Sequence, residues 1–275
     1  MHTMKKSVPC LKGVLETGRF LIPFRIYGNK GPQLIFINGI QQSMAMWQTF
    51  IARFSRDYKI VLFDFPNQGK AEIVSGPLQI SLDEQVEILS AMINKAGLGP
   101  DATICAASWG GVIALAFASK YRDRIKRMIL ASLGTKPNKK MVEIIKQGCT
   151  LDMNDRDKIA QTLIESVGGL LPERFKQTII RQFRAMKAEN MQAFYEHGLF
   201  VISSKQLGEV VNLRAIKAKT ILLNGEKDAI IDLDDVRCLV SQIPNCESKI
   251  IKDAGHFLHM EREDVLDVYE NILRS

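Results

Sequence analysis

The sequence predicts an α/β fold: a mostly parallel β-sheet with helices on both faces and a helical insertion near its middle. Three observations predict it. Short apolar runs of strand length alternate with amphipathic runs of helical length before residue 137 and again after residue 213. Between Pro137 and Leu213 the alternation stops and only helical spacing remains. In "ICAASWGGVIAL" one apolar run passes into the next through a single serine, Ser108, among small residues.

The elements follow in order. "RFLIPFRIYG" reads as an early strand, and "QLIFING" as a buried strand ended by Asn38 and Gly39. "KIVLFDFPNQG" is a strand closed by Pro66 and Gly69. "SLDEQVEILSAMINKAGL" opens with Ser81 and Glu84 at capping-box spacing and stops near Gly97, which predicts a helix. "ATICAAS", "GGVIALAFASKYR" and "RMILASLG" give strand, helix, strand. After the insertion, "KTILLNGEKD", "DDVRCLVSQIP", "CESKIIKDAGH" and "REDVLDVYENILR" give strand, helix, strand, helix. In the insertion, "MVEIIKQGC", "DKIAQTLIESVG" and "PERFKQTIIRQFRAMKAENMQAFYEHGLFVISS" favour helix, with Pro172 in a first turn. Residues 1–136 and 214–275 are thus expected to form one core. Residues 137–213 are expected to form a helical cap over the carboxyl edge of the sheet, where open α/β folds bind ligands.

Composition bounds the function. A chain of 275 residues that is 46% hydrophobic can bury a full core unaided by disulfides or metal. Its five cysteines are scattered with no C-x-x-C pair, which argues for a reducing compartment and against a disulfide framework or zinc site. No metal or cofactor is expected, because neither a ligand cluster nor a dinucleotide glycine pattern occurs. No run of eighteen apolar residues exists, so no membrane span is expected. "MHTMKKSVPCLKG" lacks the apolar stretch that export needs, and the expectation is a cytoplasmic protein. The net charge of +7 fits a basic soluble surface, or attraction to an acidic partner such as a carrier protein or the phosphates of coenzyme A. The densest basic stretch, "YRDRIKRM", has no interleaved aromatics, so no nucleic-acid partner is expected.

Ser108 fits a nucleophile elbow. Such a turn is sharp, and the positions two before and two after the nucleophile must be small or strand and helix collide. Here they are Ala106 and Gly110, an A-x-S-x-G pattern. The turn puts the Ser108 hydroxyl at a helix N-terminus, where the backbone N–H of Trp109 can stabilise an oxyanion. A serine needs a base, and His256 follows a strand on the same edge of the sheet. His259 is the rival. His197 lies in the insertion and His2 in the terminus. Asp228, just after another strand, is the candidate to orient the imidazole, with Asp232 and Asp253 as rivals and Asp234 suited to helix capping. The second oxyanion donor is expected from the loop after "LIFI": the N–H of Ile40, with Gly39 allowing close approach. Asn38, Gly39, Met44 and Met46 are substrate-binding candidates. The cluster of Met44, Met46 and Trp47 reads equally as an acyl pocket or as core.

The strand-elbow-helix, the chain order Ser108, Asp228, His256, and the helical insertion resemble the α/β-hydrolase superfamily over nearly the whole chain. Most members carry histidine before the early glycine; this chain has Asn38-Gly39. "VLFDFPNQGK", "SWGGV", "ESVGGLLPERFK", "LNGEKD" and "DAGHFLHME" are similar to a bacterial subfamily of hydroxyacyl transferases. That subfamily includes the hydroxyalkanoyloxy-alkanoate synthase of rhamnolipid synthesis and hydroxyacyl-carrier-protein:coenzyme A transacylases. "AIIDLDD" departs from its acid-loop pattern. The resemblance implies a Ser108–Asp228–His256 triad and acyl transfer from a 3-hydroxyacyl thioester, on carrier protein or coenzyme A, through an acyl-serine. A carboxylester or thioester hydrolase on the same triad is the alternative, and a non-catalytic binder on the same fold is a third reading.

Overall fold

A computed structural model describes residues 9–203 and 206–275; His2 and the lysines of "MKK" lie outside the described residues. The chain folds in the order β1 (Cys10–Thr17), β2 (Phe20–Tyr27), β3 (Gln33–Ile37), α1 (Gln48–Phe54), β4 (Lys59–Phe63), β5 (Glu72–Ile73) and α2 (Leu82–Lys95). Then come β6 (Thr103–Ala107), α3 (Trp109–Lys120) and β7 (Arg127–Ala131). The insertion follows as α4 (Lys139–Gly148), α5 (Arg156–Ser166), α6 (Glu173–Arg184), α7 (Ala188–Ser203) and α8 (Leu207–Val210). The chain closes with β8 (Lys219–Gly225), α9 (Leu233–Gln242), β9 (Cys246–Ile251), α10 (Leu258–Glu261) and α11 (Val265–Arg274).

One sheet runs in the order β1-β2-β4-β3-β6-β7-β8-β9, with β5 against β2. The first three neighbours pair antiparallel, and from β4 onward every pairing is parallel. All five residues of β6 are buried, which suits a strand at the centre of a sheet covered on both faces. The period of two splits each strand between two cores. Ile35, Ile37, Ile104 and Ala106 face α2, α3 and α9, whereas Leu34, Phe36, Cys105 and Ala107 face α1 and α11. Ser81 caps α2 through a reciprocal box with Glu84, as the spacing predicts.

Register carries the site. Ala107 pairs with Ala131, and Ala131 with Leu223, so β6, β7 and β8 end level. The residues just past them continue the ladder: the Ser108 N–H donates to Ala131 C=O at 2.8 Å, and the Ser132 N–H to Leu223 C=O at 2.8 Å. Between β7 and β8 the described residues form helices and turns, and Ile159, Ala160, Phe183 and Met191 make a small core of their own there. The neck of this insertion is closed by Leu207 N–H donating to Thr135 C=O at 2.9 Å.

Four details differ from the sequence reading. β1 has mostly exposed side chains and no apolar alternation, so its pattern gives no strand signal; its pairing with β2 forms it. The long helical run after Pro172 breaks at residues 185–187 into α6 and α7. Pro172 stands at the N-cap of α6, one residue ahead of the first turn. Asp232, and not Asp234, is the N-cap residue of α9; Asp234 sits in its first turn beside Arg237.

Candidate active site

Ser108 joins β6 to α3 with φ 49° and ψ −122°, a backbone conformation that costs an L-residue energy and that the surrounding sheet must enforce. The small flanking residues have a measurable cause. A Cβ on Gly110 would lie 2.6 Å from the Asn38 carbonyl oxygen and 2.8 Å from that of Ile37, so α3 sits on β3 only because Gly110 has no side chain. Ala106 is fully buried on the same face of the sheet. The Trp109 N–H opens α3 and has no carbonyl one turn back to bond, so it is available to a ligand. The Trp109 indole is fixed from two sides. Its Nε1–H donates to Gln85 Oε1 at 2.9 Å, and its ring meets the His197 ring edge-on at 4.5 Å.

His256 emerges beyond β9 with Nδ1 2.8 Å from Oδ2 of Asp228, whose side chain is wholly buried. The other Asp228 oxygen accepts the Ile230 N–H at 3.0 Å, which sets the carboxylate's orientation. The histidine loop is tied down twice more. Ser132, itself at φ 57°, donates its hydroxyl to the His256 carbonyl at 2.6 Å. Glu261 accepts the N–H groups of Gly255 and Phe257. Burial raises the Glu261 carboxyl above the usual carboxylate range, against those amide bonds. Neither Ser132 nor Glu261 stands out in the sequence, since each acts through backbone groups that no motif records.

The rival residues go elsewhere. His259 stacks on Trp47 at 4.9 Å, with Nε2 3.2 Å from the Met46 carbonyl, and burial pushes its pKa down to about 4. Asp232 accepts from Asn138 Nδ2 at 2.9 Å, and Asp253 pairs with Lys227 at 2.6 Å. His197 packs on Trp109, and burial pushes its pKa to about 4.

The loop after β3 is organised by side chains. The Gly39 N–H donates to Gln42 Oε1 at 2.7 Å, and its carbonyl accepts from Gln68 Nε2 at 2.9 Å. No acceptor is found for the Ile40 N–H among the described residues. A Cβ on Gly39 would stand 3.2 Å from Ser108 Cβ, which puts this loop against the elbow. Two of the substrate-binding candidates, Asn38 and Met44, lie in the core. Asn38 is buried, accepting from Trp47 Nε1 at 2.7 Å and donating to Asp64 Oδ1 at 2.9 Å. Met44 is also core, and its N–H donates to the same Asp64 oxygen at 2.6 Å. Asp64 is a buried acid raised by desolvation against these bonds, and it braces the loop from below. Gly39 and Met46 do reach the cavity wall.

Ser108 and His256 both line two cavities. One, about 450 Å³, extends into the insertion between Ile145, Ile159, Leu163, Phe175 and Ile179 and is walled mainly by apolar side chains. The other, about 670 Å³, runs along α3 past Val112 and Ala116 to Lys120 and is bounded by Leu133, Val210 and Asn212. Ile40 lines both.

Similarity to known proteins adds the lineage. A (R)-3-hydroxydecanoyl-ACP:CoA transacylase of Pseudomonas putida is 24% identical over 245 residues, spanning 87% of this chain and 81% of that protein. A 2-hydroxy-6-oxononadienedioate/2-hydroxy-6-oxononatrienedioate hydrolase of Burkholderia vietnamiensis is 24% identical, spanning 96% of this chain and 94% of its own. The solved structure of a 2-hydroxy-6-oxo-6-phenylhexa-2,4-dienoate hydrolase from Rhodococcus superposes with a TM-score of 0.79 at 16% identity, covering 98% of this chain and 100% of that one. Residues 32–263 match the family described as alpha/beta hydrolase fold. The chain therefore belongs to the alpha/beta hydrolase fold family.

Proposed function

We propose that this protein is a serine-dependent acyltransferase acting on 3-hydroxyacyl thioesters of a carrier protein or coenzyme A. The observation that carries the reading is the pairing of His256 with a wholly buried Asp228, while the same histidine and Ser108 share the walls of an apolar cavity. Likeness to the transacylase supports the substrate class.

The chemistry follows from the groups present. With Nδ1–H donated to Asp228, Nε2 of His256 is the free base. It takes the Ser108 proton as Oγ attacks the thioester carbonyl. The oxyanion is held by the N–H groups of Ile40 and Trp109, each such donor contributing about 3 kcal/mol to the barrier reduction. The tetrahedral species collapses, the C–S bond breaks, and the thiolate leaves with the proton from His256. The acyl-serine then reacts with a second nucleophile by the same steps reversed: the thiol of coenzyme A, or the hydroxyl of another hydroxyacyl chain. Residues 137–213 serve as the cap whose apolar cavity takes the acyl chain, with Met46 at its wall. Residues 1–136 and 214–275 supply the catalytic groups. No cofactor takes part, and the protein works in the cytoplasm. Among the described residues, no helix is long and apolar enough to cross a membrane.

A second reading, hydrolysis of an ester or thioester, is favoured by the hydrolase relative that spans more of the chain than the transacylase does. One experiment tests both. Wild type and Ser108→Ala are exposed briefly to a pool of 3-hydroxyacyl thioesters, and intact mass and products are measured with and without coenzyme A. Transfer predicts an acyl adduct on the wild type alone, and acyl-CoA or an ester dimer as product. Free acid as the sole product selects hydrolysis, and an adduct or turnover that survives in Ser108→Ala refutes the serine mechanism.

A further inference from the structure

The loop that carries Ile40 follows β3, and the segment that carries His256 follows β9; in the sheet β6, β7 and β8 lie between those strands. A run of buried groups nevertheless joins the two directly. It begins at Asp64, whose Oδ1 accepts from Asn38 Nδ2 at 2.9 Å and from the Met44 N–H at 2.6 Å. Asn38 Oδ1 in turn accepts from Trp47 Nε1 at 2.7 Å. This amide has one workable orientation. An indole N–H can only donate, while Asp64 and the Phe63 carbonyl on the amide's other side offer acceptors. The Trp47 ring lies 13° from parallel to that of His259, with centroids 4.9 Å apart. His259 Nε2 stands 3.2 Å from the Met46 carbonyl, so that nitrogen carries the proton. His259 belongs to α10, as does Glu261, which holds the Gly255 and Phe257 N–H groups on either side of His256. Asn38, Trp47, Asp64 and His259 are all buried.

We propose that Asn38, Trp47 and His259 are positioning residues, a buried link that sets the Ile40 N–H relative to His256. The inference rests on the serine mechanism proposed above and adds what holds its oxyanion donor in register with its base. Packing alone asks for none of these polar contacts. Apolar side chains fill the same core around them, among them Phe36, Phe50 and Leu258, without the cost of burying an amide, an acid and an imidazole. What the polar groups add is direction, because each hydrogen bond fixes where its neighbour points. Asn38 lies two residues before Ile40, so a shift at its side chain passes along the backbone to that N–H. His259 lies three residues after His256 and is bound into the same link from the other side. Loosening either end impairs the oxyanion donor and leaves the basicity of the His256 imidazole to Asp228, which still holds Nδ1.

The test uses two substrates with the same acyl chain and leaving group, an ester and its thionoester. Sulfur accepts an N–H weakly. The ratio of kcat/KM, ester over thionoester, therefore reads the oxyanion donors and is indifferent to the fraction of enzyme folded. Trp47→Phe deletes the indole N–H; His259→Phe deletes the bond to Met46 and keeps a ring on Trp47. In both, the ratio is expected to fall tenfold or more, short of the roughly 100- to 1,000-fold that one oxyanion donor supplies, while the pH midpoint of kcat/KM stays at the wild-type value. His259→Gln, whose amide keeps an N–H donor, should recover most of the loss. Val265→Ala loosens the same core without removing a member of the link and should hold the wild-type ratio. A ratio within twofold of wild type in His259→Phe, no recovery in His259→Gln, or an equal fall in Val265→Ala overturns the proposal; the two His259 variants decide it if Trp47→Phe does not fold. Turnover that survives in Ser108→Ala overturns the serine mechanism and this inference with it. Turnover that vanishes in Ser108→Ala, with ratios unmoved in the other variants, overturns the link and leaves the serine mechanism standing.

Discussion

Replacing Gly110 with alanine should separate two effects that usually travel together. Alanine in a helix is favoured over glycine by about 1 kcal/mol. At Gly110, however, the new methyl would sit 2.6 Å from the Asn38 carbonyl oxygen, where ordinary contact needs 3.4 Å. The obstacle is backbone on β3's end, not a side chain that can swing away. Either α3 lifts from the sheet or the chain at Asn38 and Gly39 shifts, and strain of that kind costs about 1–3 kcal/mol. Net destabilisation of up to about 2 kcal/mol is expected after the helix gain is subtracted. Gly148 is the matched control: it ends α4, and a Cβ there meets nothing within 4 Å. Gly148→Ala should stabilise by about 0.5–1 kcal/mol. Urea midpoints measure both. The displaced segment also carries Ile40, and an error of about 1 Å in a reacting group costs roughly 100-fold in rate. Labelling of Ser108 by a fluorophosphonate should therefore slow by about that factor in Gly110→Ala and keep the wild-type rate in Gly148→Ala. A Gly110→Ala protein as stable as wild type and labelled as fast would refute the reasoning.

Asp228→Asn should leave the fold intact and lower kcat by about 10⁴, because an amide in that place no longer selects the imidazole tautomer with Nε2 free; a loss under tenfold in an ester assay would remove Asp228 from the proposed triad. The pH dependence of stability should carry a signature of His259. Burial holds its folded pKa near 4, below the ordinary 6.5, so the unfolded chain takes up the proton first. The stabilisation from keeping this ring neutral is complete above pH 6.5 and is lost as pH falls toward 4, a difference of about 3 kcal/mol. His259→Phe, which keeps the packing on Trp47, should flatten the fall in urea midpoint between pH 7 and pH 4.5; an unaltered slope would show that other groups cause it.

The placement of the candidate residues was legible where backbone constraints leave a mark in composition. A-x-S-x-G marks the elbow because Gly110 must clear the Asn38 carbonyl, and Ser108, Asp228 and His256 could be grouped because each comes soon after a strand of one parallel array. The structure sets His256, which comes soon after a strand, beside Asp228, and His259 against Trp47. What the sequence could not convey is which side of a loop each residue turns to. Asn38 and Met44 sit beside Gly39 and Met46 in the chain, yet the first pair braces Trp47 and Asp64 while the second faces the cavity. Ser132 and Glu261 hold the histidine loop through carbonyl and amide groups, and any serine or acid at those positions looks ordinary in a sequence. β1 was invisible for a related reason: an edge strand with little buried surface leaves no periodic trace.

The bond from Leu207 to Thr135 means that the insertion's described residues leave the chain beyond β7 and rejoin it at one spot. Lengthening, shortening or exchanging that excursion changes neither the separation of β7 from β8 nor the spacing of the residues beyond them, and the added chain entropy grows only slowly with its length. Lineages sharing this architecture can exchange the side chains that wall the cavity by splicing at a single pair of neighbouring residues, with the strands that lead to Ser108, Asp228 and His256 left in place.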